Sequence, residues 1–442
     1  MHKPAILGGK ATFTVPFQRY NTIGVAEQNA ALSVVKSGKL SGFVGADCVE
    51  FYGGEKVREL ERNWCEYFDV KYAVSMNSAT SCLYAAIAAL GIEPGDEIIV
   101  TSMTMTATVT GILLYQAVPV FVDICPETFC LDPGKLEKLI TNKTRAIIGV
   151  DLYGYTADWD KIHEIISKYK LFTIEDSAQS IGGSYKGQNS GTLADIGVFS
   201  LNRHKHIHCG EGGICVTNNF NLAERLQLIR NHGEAVVAGS GRKDITNIIG
   251  FNFRMTEVEA AIAIEQLKKL KALVVQRQAI CKKIIEVYST FPGLLLPVTQ
   301  FDKKQAGTRE ELIEHVFYYL CFKIDESELG ISRKNFVAAL NAEGMPHGEG
   351  GYMPVYLLPI YQRKIAFGSK GYPFSANFYP KDLNYCKGIC PVAENMWFKE
   401  LFYFKIQNYF PSVDELDLFH YALSKVYHYR HEIEAKLGEP VC

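Results

Sequence analysis

The sequence predicts an α/β protein of two domains, a larger N-terminal one built on a parallel sheet and a smaller C-terminal one. Three observations carry that expectation. The chain has 442 residues, more than one compact core readily holds. From about residue 70, short apolar runs alternate with helical patterns. Such alternation implies parallel pairing and a sheet covered on both faces. After about residue 256 the texture changes to long helical periodicity and then to an aromatic-rich last third. A boundary is expected near residue 270, dividing the chain into 1–270 and 271–442.

The elements follow in order. Tyr72–Met76 is a short apolar run, and Ala79–Leu90 has helical spacing that stops at Gly91. The turn Glu93-Pro-Gly-Asp96 leads into the β-branched run Glu97–Thr101. Val118–Asp123, Arg145–Leu152 and Phe172–Glu175 read as further strands, with the helix Asp158–Tyr169 between the last two. Ile196–Phe199 reads as another strand. Thr256–Leu273 is an amphipathic helix whose pattern Gln276–Thr290 continues. In the last third, Val316–Phe322 reads as a strand and Arg333–Ala342 as a helix. There is no internal repeat and no low-complexity tract.

Composition narrows the class of function. A formal net charge of −2 provides no long-range field for nucleic acid. No apolar run reaches the roughly 18 to 20 residues of a membrane span. The N-terminus has no convincing signal-peptide layout. Twelve cysteines without a CxxC pair read as reduced thiols of a cytoplasmic protein.

The chemistry is concentrated in a few segments. Phe199–Gly213 reads FSLNRHKHIHCGEGG, with four residues between Lys205 and the turn Gly210–Gly213. Upstream, Ile174–Ser180 reads IEDSAQS. A lysine held near a buried aspartate is what pyridoxal phosphate (PLP) chemistry needs. The lysine forms a Schiff base, and the aspartate keeps the pyridine nitrogen protonated so that the ring can act as an electron sink. Asp176 lies at the carboxyl end of a strand, where ligands of such sheets bind. A buried carboxylate is costly unless a cation pairs with it, and a pyridinium supplies one. Gln179 follows three residues later, on the same face of an expected helical turn, placed to donate to the ring's phenolic oxygen. Glu175 is expected to point to the other side.

Asn77-Ser-Ala-Thr-Ser81 ends a strand and opens a helix. Small residues there let backbone amides approach an anion, and the helix dipole favours it. Taken alone, the segment is an ordinary Ser/Thr N-cap; beside Asp176 and Lys205, Ser78, Ala79 and Thr80 read as a phosphate cradle. The hydroxyl of Ser200, after Ile196–Phe199, is a further phosphate donor. Gly210–Gly213 allows a tight turn, but no P-loop lysine follows it and no GxGxxG fingerprint follows a strand. In Gly250-Phe-Asn-Phe-Arg254, Asn252 is suited to a phosphate and Arg254 to a carboxylate, although both equally read as turn and surface residues. In an extended segment, His204, His206 and His208 share one face and Lys205 the other. No convincing partner motif lies nearby apart from the adjacent Cys209, so no metal is expected. The histidines then shape the surroundings of a desolvated, nucleophilic lysine.

These segments stand in a recognisable order: GGEKVRELE (53–61), NSATSCL (77–83), GIEPGDEIIVTSMT (91–104), PVFVDI (119–124), EDSAQSIGGSYKG (175–187), GTLADIGVFS (191–200), KHIHCGEGG (205–213) and GFNFRMTEVEAAIAIEQL (250–267). With them the chain resembles the DegT/DnrJ/EryC1/StrS family of PLP-dependent aminotransferases, which act mainly on keto-sugars and keto-cyclitols. The resemblance runs from about Gly53 to Gln266, with weaker echoes beyond.

It implies a fold-type I architecture: a large domain with a mostly parallel seven-stranded sheet sandwiched by helices, a smaller C-terminal α/β domain, and a homodimer with shared active sites. It implies that Lys205 is the Schiff-base lysine, that Asp176 pairs with the pyridine nitrogen and Gln179 with the ring oxygen, and that Ala79, Thr80 and Ser200 bind the phosphate. Asn252 would reach the partner subunit's phosphate. Some relatives replace the lysine by histidine and act as dehydratases; Lys205 favours transamination here. Met105 stands where the family usually stacks an aromatic on the cofactor, so a softer thioether contact is expected. Asp151 stands where relatives often carry histidine, before Leu152-Tyr-Gly154. Tyr153, Arg254 and Tyr352 are expected substrate contacts. Gly348–Tyr356 and an insert near residues 366–385 are expected to shape the substrate pocket.

The expected activity is transfer of an amino group from glutamate or glutamine to a keto-sugar, nucleotide-linked or free, or to a keto-cyclitol, in a two-step ping-pong cycle. A PLP-dependent sugar dehydratase is the competing enzyme. A non-catalytic regulator that binds PLP or an amino sugar is the competing non-enzyme.

Overall fold

A computed structural model describes residues 1–299 and 313–438. Its centre is a sheet of seven strands: β1 (Tyr72–Met76), β2 (Glu97–Thr101), β3 (Val118–Val122), β4 (Thr144–Val150), β5 (Phe172–Asp176), β6 (Ile196–Ser200) and β7 (Gly213–Thr217). The spatial order is β1-β7-β6-β5-β4-β2-β3. Only β7 runs against the rest, pairing antiparallel with β1 and β6. The mostly parallel seven-stranded sheet is therefore the one expected. Its strands are buried along almost their whole length because both faces are covered. Along β6 and β7, Val198 and Cys215 join one core, and Phe199 and Ile214 join the other.

Helices supply the two covers. On one face lie α3 (Ala79–Ala89), α4 (Ala107–Leu114) and α6 (Phe220–Arg230). On the other lie α2 (Glu55–Phe68) and α7 (Glu257–Tyr288). An N-terminal helix, α1 (Val25–Ser37), packs along α7, and α5 (Trp159–Tyr169) links β4 to β5. The two helical patterns expected over 256–290 are one helix of 32 residues, α7, opened by a capping box between Thr256 and Glu259. Leu270 belongs to the core beneath the sheet, while Ile280, Ile284 and Tyr288 of the same helix belong to a separate C-terminal core.

That second core surrounds a four-stranded antiparallel sheet. Its strands are β8 (Leu294–Leu295), β9 (Leu320–Ile324), β10 (His347–Glu349) and β11 (Leu401–Phe404), with α8 (Arg333–Ala342) and α9 (Val413–His428) packed on it. Leu7, Phe13 and Phe17 from the N-terminus also join it.

Three local expectations differ from the structure. The strand expected over Val316–Phe322 begins only at Leu320. Phe317 adopts a left-handed φ of 53°, and the amides of Val316 and Tyr318 bond to the carbonyls of Gly154 and Tyr153 instead of a strand partner. The segment after Asp176 is a pair of tight turns, not a helical turn, with Ser180 N–H on Ser177 O and Gly183 N–H on Ser180 O. The histidine segment is looped rather than extended, because Lys205 N–H bonds to Asn202 O and Cys209 N–H to Leu201 O. The alternation expected of an extended chain is lost there.

The insert near 366–385 covers the edge strand β3. Tyr385 donates to Pro119 O at 2.9 Å and Tyr372 to Gln116. An exposed sheet edge is thereby closed. Among the described residues, no helix is long and apolar enough to cross a membrane.

Candidate active site

At the carboxyl ends of the parallel strands lies a cavity of about 220 Å³. Each wall comes from a strand end. After β1, Ser78 stays extended and its hydroxyl caps α3, accepting Ser81 N–H at 3.0 Å. Ala79 and Thr80 form the first turn of α3, whose amides have no partner within the helix and face the cavity at the positive end of the dipole. Gly213 of β7 passes so close that a Cβ there would lie 2.5 Å from Ser78 C and Ala79 N. Only glycine fits under that turn.

From the end of β5, Asp176 reaches the cavity with 5% of its surface exposed. Its Oδ2 accepts from the Thr108 hydroxyl at 2.8 Å and its Oδ1 from Ala178 N–H at 3.2 Å. Burial pushes the carboxyl up from its ordinary range, and these two donors together with the Lys205 charge pull it back. Gln179 is oriented by the backbone: its Oε1 accepts Tyr153 N–H at 2.9 Å, so its Nε2 faces the Tyr352 hydroxyl at 3.3 Å. Tyr153 can offer that amide because it holds a left-handed φ of 59°.

Beyond β6, Ser200 accepts Asn202 N–H on its hydroxyl at 3.3 Å, and the chain loops back to deliver Lys205. The lysine is 8% exposed, with its Nζ 4.3 Å from the centre of the Tyr318 ring. Burial lowers its pKa to about 8, against the opposing pull of Asp176. An amine near neutrality is a competent nucleophile and base.

Ser78, Ala79, Thr80, Met105, Asp176, Gln179, Ser200, Lys205 and Tyr352 all line this one cavity. Met105 is 47% exposed, and its sulfur accepts Ala107 N–H at 3.0 Å. Three other residues singled out in the sequence do not line it. Tyr153 is fully buried behind Tyr352, whose N–H it accepts on its hydroxyl at 3.1 Å. Asn252 is exposed, and its Oδ1 accepts from Arg254 Nε at 2.8 Å. No residue of 366–385 lines the cavity either. The three histidines part company: His204 lines the cavity, His206 is buried with Nε2 2.8 Å from Val316 O, and His208 does neither. Among the described residues, no three His, Cys, Asp or Glu side chains converge on a metal-sized site.

A family model for the DegT/DnrJ/EryC1/StrS aminotransferase family matches residues 46–385. The chain belongs to that family. It is 35% identical over 309 residues to GDP-perosamine synthase of Caulobacter vibrioides, covering 70% of this chain and 79% of that one. Among solved structures, it resembles an aminotransferase from Psychrobacter cryohalolentis with a TM-score of 0.78 and 26% identity, over 94% of this chain and all (100%) of that one. It also resembles the E. coli GDP-4-keto-6-deoxy-D-mannose-3-dehydratase with bound hydrated PLP, with a TM-score of 0.74 and 25% identity, over 92% of this chain and 100% of that one.

The fold, the aminotransferase class and the cofactor expected from the sequence therefore stand. The cavity fits PLP on its own chemistry. The hydrogen-bond partners of the buried Asp176 are neutral groups, which leaves its negative charge for a pyridinium. A helix N-terminus faces the same space for a phosphate. The buried Oδ1 of Asn202, another lining residue, has no hydrogen-bond partner.

Sequence reasoning missed Thr104, Thr108, Asn202 and Tyr318. Thr104 precedes α4 and Thr108 lies in its first turn, so no helical spacing announced the pair, whose hydroxyls lie 3.0 Å apart. Tyr318 carried no signal, because its place depends on the left-handed turn at Phe317.

Proposed function

We propose that this aminotransferase carries nitrogen from glutamate or glutamine to a keto-sugar, nucleotide-linked or free, or to a keto-cyclitol. The observation that carries the reading is Lys205, a buried amine with a pKa near 8, lining the same cavity as the buried Asp176. When bound, PLP supplies the electron sink for charge left on the donor's Cα.

The residues divide the remaining work. Ser78, Ala79, Thr80 and Ser200 hold the phosphate. Asp176 holds the proton of the ring nitrogen, and Thr108 keeps that carboxylate oriented. Gln179 donates to the ring oxygen through the Nε2 that its bond to Tyr153 turns inward. Met105 would contact the cofactor ring. Lys205 would hold the cofactor through its amine. Its freed Nζ then takes the proton from the donor's Cα and later returns one, the general base and general acid of both half-reactions. Tyr352 meets the acceptor, with Tyr153 fixing it from behind.

The exposed Asn252 and the half-buried Arg254, both outside this cavity, are assigned to the site of a second subunit, so that a homodimer completes both. Light scattering would reveal the dimer, and Asn252→Ala would weaken cofactor binding without dissolving the fold. We also propose the domain division 1–270 and 271–442, with α7 shared between the two cores, and a cytoplasmic place of action.

The test of the reading is the visible spectrum of the purified protein with and without excess glutamate. A yellow band that bleaches, with one keto acid formed per active site, supports the first half-reaction. A band that neither glutamate nor glutamine changes overturns the donor assignment. The dehydratase reading, favoured by the E. coli neighbour, predicts loss of water from a keto-sugar without consumption of a donor.

A further inference from the structure

On the face of β5 opposite Asp176, two carboxyl groups meet beneath the cavity. Asp151 and Glu175 are both fully buried and in hydrogen-bond contact with each other. Every other group that donates to them is neutral. Asp151 Oδ1 accepts Ala157 N–H at 3.0 Å, and its Oδ2 accepts the hydroxyls of Ser177 at 2.7 Å and Ser180 at 2.9 Å. Glu175 Oε2 accepts Leu193 N–H at 2.8 Å, and the Gly191 amide also bonds this carboxyl. Glu175 Oε1 is buried and accepts from no donor. The backbone packs tightly beside the pair: a Cβ on Gly197, the β6 neighbour of Glu175, would lie 1.7 Å from Gly191 O.

Two carboxylates in contact, both fully buried and with only neutral donors among the described residues, cannot both ionise. Asp151 receives three donors and is the better-solvated anion. Glu175 Oε1 has nothing to accept and a carboxylate to face. We propose that Glu175 is a protonated carboxylic acid in the folded protein, donating its hydrogen to Asp151, and that the pair positions the turn carrying Asp176 and Gln179.

The route from pair to turn is short. Asp151 N–H bonds to Asp176 O at 3.0 Å, and the serines that flank Ala178 and Gln179 both hang from Asp151 Oδ2. Burial raises both carboxyls, and the Asp151 charge raises Glu175 further, in the same direction as the hydrogen-bond count. Both residues are positioning residues that never touch the cofactor. The positioning half of the proposal rests on the cofactor reading of Asp176 and Gln179; the protonation half does not.

Infrared difference spectroscopy of the purified protein at neutral pH, wild type minus Glu175→Gln, tests the proton directly. The carbonyl stretch of a protonated carboxylic acid is expected in the wild type and absent from the variant. Its absence from the wild type overturns the proposal. A glutamine at 175 still donates to Asp151, so E175Q should bind PLP within about threefold of wild type, while Glu175→Leu should bind about tenfold or more weakly. Equal weakening in both variants overturns the positioning role. A protein with the acid band but no aminotransferase activity would sink the functional reading and leave the proton in place.

Discussion

Thr108 hands its hydroxyl hydrogen to the buried carboxylate of Asp176 across 2.8 Å, joining the first turn of α4 to the end of β5. A bond from a neutral donor to a buried anion stabilises by about 1.5–3 kcal/mol. Thr108→Val keeps the shape and removes the donor. It should raise the Asp176 carboxyl further and weaken PLP binding by about tenfold, read by titrating the visible band.

Lys205→Ala removes the amine and leaves its cage. Far-ultraviolet circular dichroism should match the wild type, while the visible band and turnover both vanish. Measurable turnover in that variant would refute the assignment of Lys205.

The low pKa of Lys205 sets a pH dependence with a definite sign. Only the neutral amine attacks an aldehyde. With the lysine at about 8, cofactor uptake should speed up as pH rises and level off above that value. Each unit below it should cost about tenfold in rate. A rate that keeps climbing toward pH 10 would mean an unshifted lysine.

Gly213→Ala tests the turn beneath the phosphate cradle. Its Cβ would lie 2.5 Å from Ser78 C and Ala79 N, so the N-terminus of α3 must move. Overpacking of this kind costs about 1–3 kcal/mol. PLP affinity should fall more than unfolding stability, because the displaced atoms are those assigned to the phosphate.

Tyr352→Phe removes the hydroxyl that Gln179 Nε2 faces at 3.3 Å. Steady-state kinetics should show a larger rise in KM for the acceptor than for the amino donor. Equal changes would place Tyr352 in neither substrate's path.

The sheet and the residues that gather at the cavity were legible in the sequence because they are local. Strands such as Glu97–Thr101 and Ile196–Ser200 announce themselves by apolar and β-branched runs; Asp176 and Ser200 end such runs, Ser78 lies just past one, and Lys205 stands in the loop that follows β6. Where a tertiary bond overrode local preference, the reading failed. The backbone amides of 316–318 pair with Tyr153 and Gly154 rather than with a strand, and Lys205 bends back onto Asn202, which parts the three histidines. The insert near 366–385 was expected at the pocket and instead closes the edge at β3, since an unpaired strand edge is a stronger demand than proximity in sequence.

By itself the sequence determined the α/β class, the seven-stranded sheet, the family and the lysine and aspartate that the fold brings to one cavity, since each is written in periodicity or in a short segment near a strand end. Only the tertiary structure decided which neutral groups bond Asp176, that Tyr318 shields Lys205, and that Asp151 and Glu175 are buried together. Those facts depend on residues far apart in the chain being desolvated together, and desolvation is a property of the packed fold rather than of any local stretch.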